Sequence, residues 1–150
     1  MKKIKFIATL VLSFMIVIAI NALIRDKDGP YPRKTKVIVS GITIYAEVAD
    51  TPKKREAGLS GHLALAENEG MVFVFETPAK PKFWMKDMSF PIDIIWVSGS
   101  GEIISITERA EPESYPLTFS PPDPVKYVLE VPAGFAEKKE VKIGDMMVIL

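Results

Sequence analysis

Residues 92–107 read IDIIWVSGSGEIISIT. Two runs rich in β-branched side chains flank the turn Ser98-Gly99-Ser100-Gly101. Their length and composition predict a β-hairpin, with strands at 92–97 and 102–107. The rest of the chain is read outward from this hairpin.

Downstream, residues 108–125 hold Pro112, Pro116, Pro121, Pro122 and Pro124. So many prolines exclude a helix or an interior strand, and a loop this long in a compact domain is usually functional or mobile. KYVLEV at 126–131 alternates, predicting Tyr127, Leu129 and Val131 inward and Lys126, Val128 and Glu130 outward. A short helical turn is expected near 133–138, and MMVIL at 146–150 is expected to close the chain as a buried strand. Upstream, KFWMK at 82–86 reads as a short strand. MVFVFE at 71–76, opened by Gly70, is apolar on both faces and reads as a central strand that Pro78 and Pro81 break. Thr51-Pro52 marks a helix start, and Gly58 and Gly61 keep that helix short. Period-two alternation from Val37 to Val48, interrupted at Ser40-Gly41, reads as a second hairpin. The expected fold is therefore all-β, a mainly antiparallel sandwich or barrel-like domain with one short helix. Parallel βαβ units are not expected, because repeated helical segments are missing.

The N-terminus has a different character. Residues 6–24, FIATLVLSFMIVIAINALI, carry no charge, and Lys2, Lys3 and Lys5 precede them. As a helix this run is about 28 Å long, close to the hydrocarbon thickness of a bilayer. It predicts an uncleaved, single-pass signal anchor with a cytoplasmic N-terminus and an extracytoplasmic domain. The alternative is a signal peptide cleaved after Ala19 or Ala22, which would release a secreted or periplasmic domain. Basic residues also follow the span, at Arg25, Lys27, Arg33, Lys34 and Lys36, so charge bias alone hardly orients it. The expected organisation is an anchor at 1–24, a basic Pro/Gly stalk at 25–36 and a β-domain at 37–150.

Composition excludes several classes. There are 19 basic and 19 acidic residues, but the domain from 37 onward has 11 basic and 17 acidic groups, a net of −6. That sign leaves no electrostatic footprint for nucleic acid. The absence of cysteine excludes disulfides, thiol nucleophiles and thiolate zinc sites, and His62, the sole histidine, excludes a multi-histidine metal site. No G-x-S-x-G nucleophile elbow or Gly-rich phosphate loop occurs. Met71 and Met85 fall at core-facing positions, which packing explains better than copper binding. Glu108, Glu111 and Glu113 begin a loop and read as solvated charges. No cofactor, metal or catalytic residue is expected.

Several motifs do point to a family. They are Glu56-Ala57-Gly58-Leu59-Ser60-Gly61, Gly70-Met71-Val72-Phe73-Val74-Phe75 and Phe83-Trp84-Met85-Lys86-Asp87-Met88, then Pro91-Ile92-Asp93-Ile94-Ile95, Tyr127-Val128-Leu129-Glu130-Val131 with Ala133-Gly134, and Gly144-Asp145. From about Val37 onward the chain resembles the bacterial and archaeal family called domain of unknown function 192. The resemblance implies a compact β-domain, often behind an export signal or anchor, with no established biochemical role. Asp87 and Met88 stand where the family commonly has Asn and Thr, and His62 stands where it often has Arg. If these positions touch a ligand, its identity or affinity differs here.

Two positions carry the candidate chemistry. Trp84 shares a strand face with Lys82 and Lys86, so it is expected to be about half exposed. It either stacks on a sugar, peptide or partner or covers a second layer such as the proline loop. Asp93 lies within an apolar strand and needs a partner, with Lys86 and Arg55 as candidates. It belongs either to a polar site with Lys86 and Asp87 or to a structural ion pair. The candidate ligand-binding set is Trp84, Lys86, Asp87, Asp93, Arg55 and His62. The expected function is a membrane-tethered binding or interaction module of the cell envelope, with an envelope protein or a glycan as its partner. The alternative is an envelope enzyme, or enzyme accessory, acting on a glycan or small molecule through Trp84, Lys86, Asp87 and Asp93.

Overall fold

The computed structural model describes residues 34–150. The apolar run at 6–24 and residues 25–33 of the stalk lie outside the described residues. Among the described residues, no helix is long and apolar enough to cross a membrane.

Seven strands form one curled sheet: β1 (Lys34–Val39), β2 (Ile42–Ala49), β3 (Glu69–Ala79), β4 (Ile92–Val97), β5 (Ile103–Ala110), β6 (Val125–Pro132) and β7 (Met147–Ile149). Helix α1 (Pro52–Ala57) joins β2 to β3, and α2 (Phe135–Lys138) follows β6. The order across the sheet is β5-β4-β6-β3-β2-β1-β7. The two ends of this order approach each other. Ile103 N–H donates to the Asp145 carbonyl at 2.8 Å, and Met147 N–H donates to the Gly101 carbonyl at 2.7 Å. Glu102 faces Met146 in an isolated bridge. The result is a half-barrel made from one sheet, not two stacked sheets.

Local chemistry explains most elements. Ser40 and Gly41 both have positive φ, +50° and +78°, which suits a two-residue hairpin turn between β1 and β2. Lys54 N–H donates to Thr51 Oγ1 at 3.3 Å, so Thr51 caps α1 with Pro52 in its first turn. β4 and β5 pair antiparallel, as 92–107 predicts.

Four expectations are corrected. First, β2 and β3 run parallel, from Tyr45 opposite Glu69 to Ala49 opposite Phe73. One short helix is enough for this single crossover. Second, KFWMK at 82–86 is not a strand. Phe83 alone makes a bridge, to Phe119 of the proline loop, with both N–H···O bonds at 2.8 Å. Third, Pro78 does not end β3. The strand continues to Ala79 across a register shift between Val74 and Ala79. Fourth, the C-terminal side chains are not all buried. In the edge strand β7 Met147 packs inward and Val148 is about half exposed, and Met146 and Leu150 on either side of the strand are exposed. In addition, β1 takes in Lys34, Thr35 and Lys36, whose composition had suggested stalk.

The sheet buries residues on both faces. Val37, Val39, Ile44, Val72, Ile95 and Leu129 pack on one face, together with Phe135 of α2. Phe73, Met85, Ile92, Ile94, Trp96 and Val128 pack on the other. The second layer includes Leu59, Phe83 and Phe119, supplied by the segment after α1, residues 81–90 and the proline loop. β3 and β6 lie too close for a side chain at Gly70, where a Cβ would sit 2.5 Å from the Glu130 carbonyl oxygen. Because that oxygen is backbone, Gly70→Ala is expected to cost about 1–3 kcal/mol. Chemical denaturation would show the loss as a lower midpoint at unchanged slope.

Candidate functional site

The covered face of β6 holds the residue that organises the site. Alternation puts Val128 and Glu130 on one face, as expected, but that face is not open to solvent. Glu130 stands opposite Met71 of β3 and Ile94 of β4, under the second layer. It is 5% exposed, and its Oε2 accepts no hydrogen bond. Burial pushes its carboxyl from 4.5 up to about 8.

Glu130 lines a half-open recess of about 260 Å³. Phe73 and Phe75 of β3 form one wall, and Phe83 and Trp84 form another. The bridge to Phe119 fixes Phe83, which packs edge-on against Phe73 at 4.7 Å and Trp96 at 5.4 Å between ring centroids. Trp84 is 49% exposed and lines the same recess, which matches the exposure that its lysine neighbours predict. Arg55 comes from α1. Its Nη1 donates to the carbonyls of Asp50 at 2.8 Å and Val74 at 2.9 Å, and its guanidinium lies 5.2 Å from the Phe75 ring centroid. Lys82 and Glu56 also line the recess, and both are exposed.

The other expected residues lie elsewhere. Asp93 is fully buried, and neither Lys86 nor Arg55 is its partner. Its Oδ1 accepts backbone N–H bonds from Arg109 at 2.9 Å and Gly134 at 3.0 Å, and its Oδ2 accepts one from Ala136 at 2.9 Å. This carboxylate ties a left-handed residue of β5, Arg109 at φ +50°, to the start of α2. That is a structural role, reached through backbone donors and not through an ion pair. Lys86 and Asp87 form an exposed turn after Met85. The Lys86 carbonyl accepts from Ser60 Oγ at 3.0 Å, and the Asp87 carbonyl accepts from Gly61 N–H at 3.1 Å. His62 lines a separate groove, with Nδ1 3.1 Å from the Leu59 carbonyl oxygen and Nε2 3.9 Å from Glu47 Oε1.

Of the six expected residues, the recess gathers only Trp84 and Arg55. It adds Glu130, which alternation places outward, and Phe73, Phe75 and Phe83, which the sequence offers only as strand residues. A usable signal for Glu130 was present: it follows Val128-Leu129 and precedes Val131, the same setting that singled out Asp93.

Comparison with known proteins places the chain among uncharacterised relatives. A UPF0127 protein of Thermococcus kodakarensis is 31% identical over 67% of this chain, and one of Thermococcus sibiricus is 32% identical over 66%. The aligned region spans 62% of the length of each. Two crystal structures share the fold. One, from Sinorhizobium meliloti 1021, is a protein provisionally named a transcription regulator, with 33% identity and a TM-score of 0.73 over 77% of this chain and 93% of that one. The other, a protein of unknown function from Novosphingobium aromaticivorans, has 28% identity and a TM-score of 0.71 over 77% of this chain and 84% of that one. The DUF192 family model, described as an uncharacterized ACR, matches residues 35–149, so the chain belongs to that family.

Proposed function

We propose that this chain is a binding module of the cell envelope, tethered through residues 6–24, whose extracytoplasmic domain takes up a small molecule in the recess over Glu130. One observation carries the reading: an almost fully buried carboxyl without a hydrogen-bond partner at Oε2 lines an aromatic-walled recess. Such a group costs the fold stability unless something pairs with it. An apolar recess with one convergent polar group is the usual make-up of a small-molecule site. Support for the tether is the uncharged run of 19 residues behind three lysines. The regulator name of the Sinorhizobium protein is not carried over. The net charge of −6 on residues 37–150 opposes DNA on balance.

A second reading rests on the same residue. A carboxyl held near 8 can give or take a proton at neutral pH, so the recess could act on a glycan or small molecule. The Ser60 hydroxyl that lines it is donated to the Lys86 carbonyl, and the other ionisable groups on the lining, Glu56 and Lys82, are exposed while Arg55 Nη1 is bound to backbone carbonyls.

A thermal-shift screen of small metabolites against the full chain in detergent tests the binding reading. Ligands of the recess should raise the melting temperature of the wild type. They should not raise that of Trp84→Ala, whose own stability should stay within about 0.5–1 kcal/mol of wild type because the indole is half exposed. Equal shifts in both proteins, or none in either, would count against the recess. Turnover of a hit that Glu130→Gln abolishes would favour the second reading.

A further inference from the structure

We infer that the recess over Glu130 selects small organic cations, an ammonium group carried on a single apolar or aromatic body. The inference rests on the reading that this recess binds small molecules, and it adds the chemical class.

The floor sets the sign. Glu130 Oε2 is buried without a donor, and desolvation is the one cause of its raised pKa, with no protein cation offsetting it. The charged groups lining the recess are Arg55, Glu56 and Lys82. Lys82 and Glu56 are exposed and opposite in sign. Arg55 Nη1 is committed to the Asp50 and Val74 carbonyls. β3 and β4 bring only apolar neighbours opposite Glu130, Met71 and Ile94. The carboxyl thus has no partner from the protein, and a cation brought into the recess would favour its ionised form.

Three kinds of head group can be compared. A carboxylate or phosphate would oppose ionisation of Glu130 and could only share its one proton in a desolvated place. A hydroxyl or amide would supply one neutral hydrogen bond. An ammonium would supply a charge-assisted bond, roughly twice as strong as a neutral one. It would also lie among aromatic rings whose faces attract cations, and Trp is the best of these. The wall already holds one cation in this way, Arg55 beside Phe75 at 5.2 Å.

The size limits the body. About 260 Å³ lies below the roughly 300–1,000 Å³ of drug-sized sites. One ring or a short branched chain fits, and an oligosaccharide does not.

Three probes with one ring and different head groups test this: benzylamine, benzyl alcohol and benzoate, titrated calorimetrically into the full chain in detergent at neutral pH. Benzylamine should bind at least about tenfold more tightly than benzyl alcohol, and benzoate should not bind measurably. Glu130→Gln keeps the shape but cannot ionise to meet an ammonium, so it should bring benzylamine down to the level of the alcohol. Phe83→Leu should weaken both ligands that bind. Benzoate binding as well as benzylamine, or an amine preference that survives Glu130→Gln, would overturn the cation assignment and leave the recess reading standing. No binding by any of the three would overturn both.

Discussion

The wild-type chain should lose stability steadily as the pH rises from about 4.5 to about 8, and Glu130→Gln should lack that component. The folded carboxyl titrates near 8 and the unfolded one near 4.5. Between these values the native state keeps a proton that the unfolded state has released, so raising the pH favours unfolding. The stability linked to this group is complete below about 4.5 and is lost as the pH passes through about 8. With about 1.36 kcal/mol per pKa unit, the loss is of the order of 4–5 kcal/mol. That is a large part of the roughly 5–15 kcal/mol that holds a domain together. Glu67, held down to about 2 chiefly by Lys138, and Asp145, held low chiefly by Ser40, titrate lower and cancel in the comparison. Denaturation midpoints of both proteins across this pH range check the expectation. Parallel curves would mean that Glu130 is solvated or paired.

Asp93→Asn should destabilise the domain by about 3–5 kcal/mol and leave the recess chemistry unchanged in the folded fraction. The carboxylate accepts three backbone N–H bonds at 2.9–3.0 Å from Arg109, Gly134 and Ala136. Hydrogen bonds to a charged group are worth about 1.5–3 kcal/mol each. Asparagine keeps one acceptor oxygen and turns an NH₂ group toward donors that then lack a partner. The expected result is a strongly lowered melting temperature with unchanged affinity for any ligand of Trp84 and Glu130. A stable Asp93→Asn protein that had lost ligand binding would place Asp93 in the site instead.

The two acids show what the sequence could and could not reveal. Both sit in apolar strands, and burial of Asp93 followed from Ile92 and Ile94 beside it. Its partners did not follow, because three backbone N–H groups brought together by a bulge and a helix start leave no side-chain signature. Alternation places Glu130 outward because Lys126 shares its face. Alternation identifies a face but not what covers it, and the covering here comes from α1 and the irregular segments 81–90 and 111–124. Thr51-Pro52, Ser40-Gly41 and the hairpin at 92–107 were legible because capping and turn chemistry are local. The parallel pairing of β2 and β3 was not, since its crossover helix spans only Pro52–Ala57. Trp84 was legible as a half-exposed aromatic, yet the recess beside it needed Phe83, which the bridge to Phe119 holds from 36 residues away.

A crystallographic fragment screen tests the central claim most directly, since it asks where small molecules settle on the folded chain. The expected result is fragment density in the recess, a ring against Phe83 and Trp84 and a polar group within about 3.2 Å of the Glu130 carboxyl. Fragments settling elsewhere, for instance in the groove of His62 and Glu47, while the recess takes up none, would contradict it.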